Sequence, residues 1–525
     1  MDLTQEPPAR AWLEVGLLAL ALYAAHAIWF GTWMIDDAGI SLAYARSLAG
    51  GHGFAPQPGS PSVEGFSNPL WTLAFALLFR LGLVQLPWAP KLLSLLLVGA
   101  TYLLLLAPWR RSSRMLWVAA LAPLLLSLNT SFVAWTTSGL ENALNALLIV
   151  VLATLSLRAL EPGGPDARDV ASGIVAGLAA LTRPDSILYA AAYPVVVTAG
   201  APLRSLPRRL GRYLAGLLPV LGAWLAVRLV AFGDWLPNTY RAKGGPTPES
   251  LLDVAKLADL GESVLGPLAA PFLLALLVAA RAGRGRAWDR HLVLGGYLLI
   301  ALAIYLLLPE DWMGEYRFAT PAFVFLYWLG AELLAESKPA AAAVVSAAIV
   351  LETLAVYVPR SRAFAANPPV PFEQVRAFAG VGYNRVASAL GVREASLLTP
   401  DVGGGLIASD LRIHDLAGLC DPVIARTLGS DHAAFLDYVF GVLRPTFIHV
   451  HGSWLAQARL DEDPRLARDY LALREGTDYV RRDAAAGPSL ERARAAFRAA
   501  GMGRMQEWKG GGRVSDERRW AQARP

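Results

Sequence analysis

Two adjacent carboxylates, Asp36 and Asp37, stand where a long apolar run ends and an amphipathic stretch to Leu48 begins. A carboxyl group at the mouth of a membrane helix loses solvation, its pKa rises, and it becomes suited to general-base work. The same pair would equally cap the helix that follows, a role Asp fills readily. Further acids recur in similar places: Glu64 in Val63-Glu-Gly-Phe-Ser-Asn68-Pro-Leu-Trp71, Glu141 after Thr136-Thr-Ser-Gly-Leu, Asp185 in Thr182-Arg183-Pro-Asp185, and Asp311 in Glu310-Asp-Trp-Met. Among them stand four cations, Arg183, Arg241, Lys243 and Arg317. Arginine offers paired donors and lysine a point charge, so these four are candidates to grip a phosphate or diphosphate. Plainer roles exist for three of them: Arg183 would pair with Asp185, and Arg241 and Lys243 would snorkel to lipid headgroups. Trp33, Trp71, Trp135, Trp235 and Trp312 fit an interfacial aromatic belt.

The elements that must hold these residues are membrane helices. Of 525 residues, 55% are hydrophobic and only 17% charged, against nearer a quarter charged in soluble domains. Eleven apolar runs read as spans: Ala11 to Phe30, Pro90 to Ala107, Met115 to Leu128, Ala143 to Leu157, Val170 to Leu181, Ile187 to Gly200, Tyr213 to Val230, Val264 to Ala280, His291 to Leu308, Phe318 to Leu334 and Ala340 to Val358. The first has no small-residue cleavage site after it and reads as a retained helix. Pro69 to Leu83 is too short for a crossing of about 30 Å and is expected to lie on the membrane or dip into it. This choice is tested by arginine placement. With the N-terminus inside, the cytoplasmic loops hold Arg110, Arg111 and Arg114; Arg158 and Arg168; Arg204, Arg208, Arg209 and Arg212; and Arg281, Arg284, Arg286 and Arg290, as the positive-inside rule requires. A twelfth span would invert every later loop.

The expected organisation is a transmembrane domain over 1–358, with outer loops at 31–89, 129–142, 182–186, 231–263 and 309–317. An extracytoplasmic α/β domain follows over 359–500, and a flexible tail over 501–525. The soluble part shows β-like runs at Ala395 to Leu398 and Thr446 to Val450 and helical stretches at Phe372 to Leu390 and Ser489 to Ala500. Its Asp401, His414, Asp415, His449 and His451 read more simply as satisfied loop and strand positions than as acceptor-glycan contacts. A formal net charge of +5, with arginines between apolar runs rather than in a patch, argues against nucleic acid. One cysteine, Cys420, excludes an internal disulfide, and no Cys/His cluster has zinc spacing.

Taken in order, several stretches resemble the multispanning glycosyltransferases of the C superfamily that use polyprenyl-phosphate sugars, nearest the branch around arabinofuranosyltransferase B. They are Asp36-Asp37-Ala-Gly-Ile-Ser with Tyr44-Ala-Arg46, Gly51-His-Gly53, Val63 to Trp71, Thr137-Ser-Gly-Leu-Glu141, Leu181-Thr-Arg183-Pro-Asp185, Gly233-Asp-Trp-Leu-Pro-Asn238-Thr-Tyr240 with Lys243, and Asp311-Trp-Met with Tyr316-Arg317-Phe. The soluble part is similar at Thr399-Pro-Asp401-Val-Gly403 and His414 to Asp421. Many of those relatives carry a longer Asn-Pro-Gly stretch after Gly-His-Gly where this chain has Ala55-Pro-Gln-Pro-Gly59. That departure bears on the sugar and leaves the class intact.

The resemblance implies a GT-C-like membrane fold, a catalytic carboxylate in Asp36-Asp37, basic outer residues on the lipid phosphate, and transfer on the outer face of the cell membrane. Glu64, Asn68, Glu141, Asp185, Asn238, Tyr240 and Asp311 are the candidates for sugar and acceptor. The expected partners are the lipid-linked donor, an envelope glycan, lipid or protein acceptor, and the bilayer. No cofactor is demanded, although carboxylates would suit a Mg, Ca or Mn ion bridging an acid to phosphate. The rival readings are a lipid-linked-sugar flippase and a non-catalytic envelope-glycan binder. A transporter would place ionisable residues at mid-span and show internal repeats, whereas here Arg228 is the main deep charge and no repeat is visible.

Overall fold

The computed structural model describes residues 10–110, 113–161, 167–200, 202–244, 256, 258, 261, 287–309, 311–485 and 487–502. The expected span Val264 to Ala280 lies outside them. So do Arg111, Arg281, Arg284, Arg286, Glu310, the side chain of Arg114, most of the 245–263 stretch and the tail beyond Met502. The chain divides into two compact units. One comprises Met1–Thr32, Leu86–Trp224 and Pro246–Pro368, the other Trp33–Gln85, Leu225–Gly245 and Pro369–Pro525.

Among the described residues, seven helices are long and apolar enough to cross a bilayer: Ala11–Trp29, Trp88–Trp109, Asn142–Ala159, Leu203–Phe232, Asp289–Leu307, Arg317–Ala335 and Pro339–Ala366. Each matches an expected span. The run Met115 to Leu128 is instead half of a broken pair, Leu116–Leu128 and Thr130–Thr137, bent by 66°. Asn129 makes the break. Its backbone turns extended and its Oδ1 accepts from the Phe132 amide at 2.9 Å, capping the second half, while its Nδ2 donates to the hydroxyls of Tyr327 and Tyr357. Two further expected spans are short: a 16-residue helix, Ala167–Thr182, and a 3-10 segment, Pro184–Ala191, running into the nine-residue Ala192–Gly200.

Small residues let the first unit's helices touch at backbone distance. Gly173 and Gly177, four apart on Ala167–Thr182, face the helix carrying Gly216. A Cβ on Gly173 would fall 1.9 Å from the Tyr213 carbonyl, and one on Gly216 would fall 2.1 Å from that of Val170. Without a hydrophobic drive between helices in lipid, such close van der Waals packing is a main source of their association. Nearby, Asp169 collects Arg209 at 3.1 Å and the Tyr193 hydroxyl at 2.5 Å, so an arginine expected only to set topology also ties helices together.

The helix Pro339–Ala366 runs through Pro359 and ends at Asn367. It therefore continues about two turns past the boundary expected near Pro359. A proline ring costs one backbone hydrogen bond, which a packed membrane helix tolerates. The larger difference is that Trp33–Gln85 and Leu225–Gly245 belong with the C-terminal residues in one compact unit.

That second unit is built on a five-stranded sheet of β1 (Ser396–Thr399), β2 (Arg412–Asp415), β3 (Phe447–His449), β4 (Tyr470–Arg474) and β5 (Asp478–Arg481), in the order β2-β1-β3-β5-β4. The first three are parallel, and β4–β5 is an antiparallel hairpin joined at β3. Leu398, Ile424, Phe435, Val439 and Ile448 fill one core. The helices Asp36–Ala49 and Pro69–Arg80 pack on each other in the same unit. The latter, at 12 residues, rises only about 18 Å, too short to span. The segment before Asp36 is stapled to the chain entering the soluble part by a bridge between Ile35 and Pro371, with Asp36 N donating to Val370 O and Phe372 N to Met34 O.

Candidate active site

The carboxylates of Asp36 and Asp37 part company in the fold. Both lie in the first turn of Asp36–Ala49, whose N-cap is Ile35, so neither caps its own helix as the sequence allowed. Asp36 caps a different helix. Its Oδ2 accepts from the Gly403 amide at 2.8 Å and its Oδ1 from Gly404 at 2.7 Å, the first free amides of Gly403–Ala408. The approach is possible because Gly403 has no side chain: a Cβ there would lie 1.9 Å from the Asp36 carbonyl oxygen, and one on Gly39 would lie 2.6 Å from the Gly403 carbonyl carbon. Asp36 is 2% exposed. Burial pushes its carboxyl well above the usual range, Asp401 and Asp37 push it further, and the two amides pull it back. Asp37, one residue on, is half-buried.

Around this pair the motif residues lock elements together. Glu64, 2% exposed, forms a two-pronged ion pair with Arg228, Nε to Oε2 at 2.5 Å and Nη2 to Oε1 at 3.0 Å. Asn68 Oδ1 accepts from Ser41 and Thr72, tying the two packed helices. Asn238 Nδ2 donates to the carbonyls of Gly418 and Leu419. Arg46 donates to the carbonyls of Leu406 and Ile407 at the far end of the Gly403 helix. Tyr240 is 47% exposed. Glu64, Asn68 and Asn238, candidates for sugar contact on sequence, thus already have protein partners.

Arg241 is paired with Asp234 at 2.8 Å, and Arg426 lies 3.6 Å from the same carboxylate. Asp234 is held below its usual pKa, chiefly by that hydrogen bond from Arg241. Lys243 is exposed. Two arginines on one acid, with a lysine close by in the chain, leave this part of the second unit cationic.

The first unit holds a separate charged cluster. Arg183, 9% exposed, donates Nη1 to Glu141 at 3.0 Å and Nε to Asp185 at 3.1 Å. Burial opposes the guanidinium charge, but Asp185 and Glu141 more than restore it. Arg317, 8% exposed, donates Nη2 to Asp311 at 3.2 Å and Nη1 to the Met313 sulfur, and its plane lies near the rings of Phe318 and Trp135. Its Nε lies 2.9 Å from Asp311 Oδ2 but is misaligned for a hydrogen bond. The sequence pairing of Arg183 with Asp185 is therefore present, joined by Glu141 from 42 residues away. Of the five candidate belt tryptophans, Trp33, Trp71 and Trp135 are buried, and only Trp235 and Trp312 are exposed.

In the soluble part, His449 is a satisfied core residue: its Nδ1 lies 2.8 Å from Asp478, which also receives the Tyr383 hydroxyl. Asp415 accepts from the Ala417 and Cys420 amides. Burial pushes its carboxyl up to about 7, those amides oppose the rise, and Asp421 and Asp37 add to it. His414 is drawn down to about 4 by burial and by Arg412. The tie between Asp36 and Gly403-Gly404 could not be read from sequence, although the run Gly403-Gly-Gly405 was a visible sign of close backbone approach. Among the described residues no group of three or more His, Cys, Asp or Glu side chains is arranged to hold a metal ion.

No family model and no curated protein matches the chain. Solved structures do. ArnT from Cupriavidus metallidurans in the apo state aligns over 90% of this chain and 98% of its own with a TM-score of 0.61 at 14% identity. The archaeal oligosaccharyltransferase AglB from Archaeoglobus fulgidus, in complex with an inhibitory peptide and a dolichol-phosphate, aligns over 90% and 74% with a TM-score of 0.54 at 12% identity. The chain therefore has the multi-pass GT-C membrane fold, with a small sheet in its C-terminal part.

Proposed function

We propose that this protein is a membrane glycosyltransferase that moves a sugar from a polyprenyl-phosphate donor to a hydroxyl of a cell-envelope acceptor on the outer face of the cell membrane. The acceptor oxygen forms a bond to the anomeric carbon, the bond from that carbon to the phosphate oxygen breaks, and the phosphate departs with the electron pair. The acceptor proton passes to Asp37. The observation carrying this assignment is the position of Asp37, half-buried in the first turn of Asp36–Ala49 beside the Asp36 carboxylate that caps the Gly403 helix.

The phosphate charge is assigned to Lys243 and Arg241, which lie in the same unit as Asp37. Arg183 commits Nε and Nη1 to carboxylates, and the same two bonds orient the rest of its guanidinium. Glu141 and Asp185 orient Arg183, Asp311 orients Arg317, and Glu64, Asn68 and Asn238 hold the loops rather than the sugar. Tyr240 remains a candidate sugar contact. A pentosyl donor of the decaprenylphosphoryl-arabinose kind is the first to try, on the motif resemblance. This scheme routes no step through a metal, so transfer is expected to survive EDTA; loss restored by Mg or Mn would add a cation to it.

The test is purified protein in nanodiscs, a panel of radiolabelled polyprenyl-phosphate sugars and envelope acceptors. Asp37→Asn is expected to slow transfer by about 10²- to 10⁴-fold, the usual contribution of a general base. Robust transfer by the Asp36→Asn/Asp37→Asn double variant would falsify the assignment.

A further inference from the structure

Strands β1, β2 and β3 are parallel and ordered β2-β1-β3, so the chain leaves β1 toward one side and returns from β2 across it to the other. Where connections diverge in this way, an open α/β sheet leaves a crevice beyond the carboxyl ends of the two neighbouring strands, and ligands bind there. Here those strands are β1 and β3. Asp401 follows β1 and His451 follows β3, and their side chains meet across the divide, Nε2 to Oδ2 at 2.7 Å. Both remain about a quarter exposed, at 23% for His451 and 25% for Asp401. The neighbouring His449–Asp478 pair is sealed in the core, at 3% and 0%. The imidazole of His451 is drawn down by burial but raised overall by its bond to Asp401.

The acid pair reaches the same edge. Asp36 bonds the amides two and three residues beyond Asp401. Beyond His451 the chain turns at Gly452, and Ser453 and the half-buried Trp454 follow.

From this placement we propose that the Asp401–His451 pair is the acceptor subsite and that it takes vicinal hydroxyls of an uncharged sugar ring. The carboxylate accepts from one hydroxyl and the imidazole engages its neighbour, next to the position from which Asp37 draws the attacking proton. An uncharged ring fits because the Asp401 carboxylate accepts from hydroxyls and repels an anionic glycan. The subsite rests on the transferase reading only for its role; binding itself is independent of turnover.

The experiment uses the full chain in nanodiscs without donor. Saturation-transfer NMR is run with methyl α-L-arabinofuranoside, methyl α-D-mannopyranoside, methyl β-D-galactopyranoside and, as the anionic comparison, methyl β-D-glucuronide. At least one neutral glycoside is expected to receive saturation from the wild type and the glucuronide none. Asp401→Asn and His451→Gln are each expected to weaken binding about tenfold, the worth of one hydrogen bond to a charged group, with the melting temperature unchanged. In the transfer assay the same variants raise acceptor KM by a similar factor and leave donor KM alone. Two substitutions guard against one failing to fold. Unchanged binding in both variants, or no neutral glycoside binding the wild type, overturns the subsite. Binding lost in the variants, with no transfer by the wild type, keeps the subsite and removes the transferase reading.

Discussion

Asp36 shows how a charged residue can be conscripted by backbone. Its two oxygens satisfy two buried amides that would otherwise have no partner, and each such orphan costs about 1–3 kcal/mol. Asp36→Ala is therefore expected to lower the melting temperature of the protein sharply, and Asp36→Asn, which keeps one acceptor, to lower it less. Gly403→Ala should destabilise by about 1–3 kcal/mol through overpacking, because its methyl would meet the Asp36 carbonyl oxygen; a wild-type melting curve for this variant would contradict the close approach. Asp415 gives a pH signature. Its folded pKa of about 7 lies above its unfolded value of 3.8, so the folded state holds the proton more tightly. Its contribution is fully present below the unfolded value and is lost as pH rises toward 7. Asp415→Asn is expected to flatten the fall in stability between those limits, read by hydrogen exchange in the strands.

At the scale of elements, ion pairs and small residues do the joining. Arg228, read as the main deep charge, is the end of a helix reaching Glu64 in the loop before Pro69–Arg80. Removing one partner of a buried pair leaves the other charge stranded, at about 3–5 kcal/mol. Arg228→Met should thus be severe, and Glu64→Gln on top of it should recover part of the loss; thermal unfolding of the single and double variants checks this. The helix Ala167–Thr182 makes the complementary case. Gly173→Leu would drive a side chain into the Tyr213 carbonyl and should abolish folded, monodisperse protein in detergent, as size-exclusion chromatography would show.

For the whole molecule, sidedness is the next quantity to measure. The arginine loops predict the N-terminus inside and the soluble part outside. In a Cys420→Ser background, a cysteine at the exposed Glu475 should react with a membrane-impermeant maleimide in intact cells, whereas one at Arg208 should react only after lysis. The reverse pattern would place the acid pair on the cytoplasmic side and remove the outer-face assignment. The two units also alter how the chain is divided. The first loop, with its acids, belongs with the C-terminal sheet, so truncation at Pro359 is expected to remove transfer together with the soluble part, because Gly403 and Gly404 go with it.

Seven spans were legible because an apolar run of about 20 residues has one stable arrangement in lipid, a helix that satisfies its own backbone. The strands β1 and β3 were legible for their β-branched and apolar content, whereas β2, reading Arg-Ile-His-Asp, carries no such signal. The acid pair, the arginines beside apolar runs and the Arg183–Asp185 pairing were also readable, since charge beside an apolar run must be explained locally. Which aspartate is spent on structure was not readable, nor that Glu64, Asn68 and Asn238 fasten loops. Those facts depend on partners 27 to 368 residues away, and a partner at that distance leaves no local pattern. Sequence alone put Asp36 and Asp37 a few residues beyond an apolar run long enough to span. Only the tertiary structure divided them, because the choice rests on which carboxylate meets two bare backbone amides from the far end of the chain.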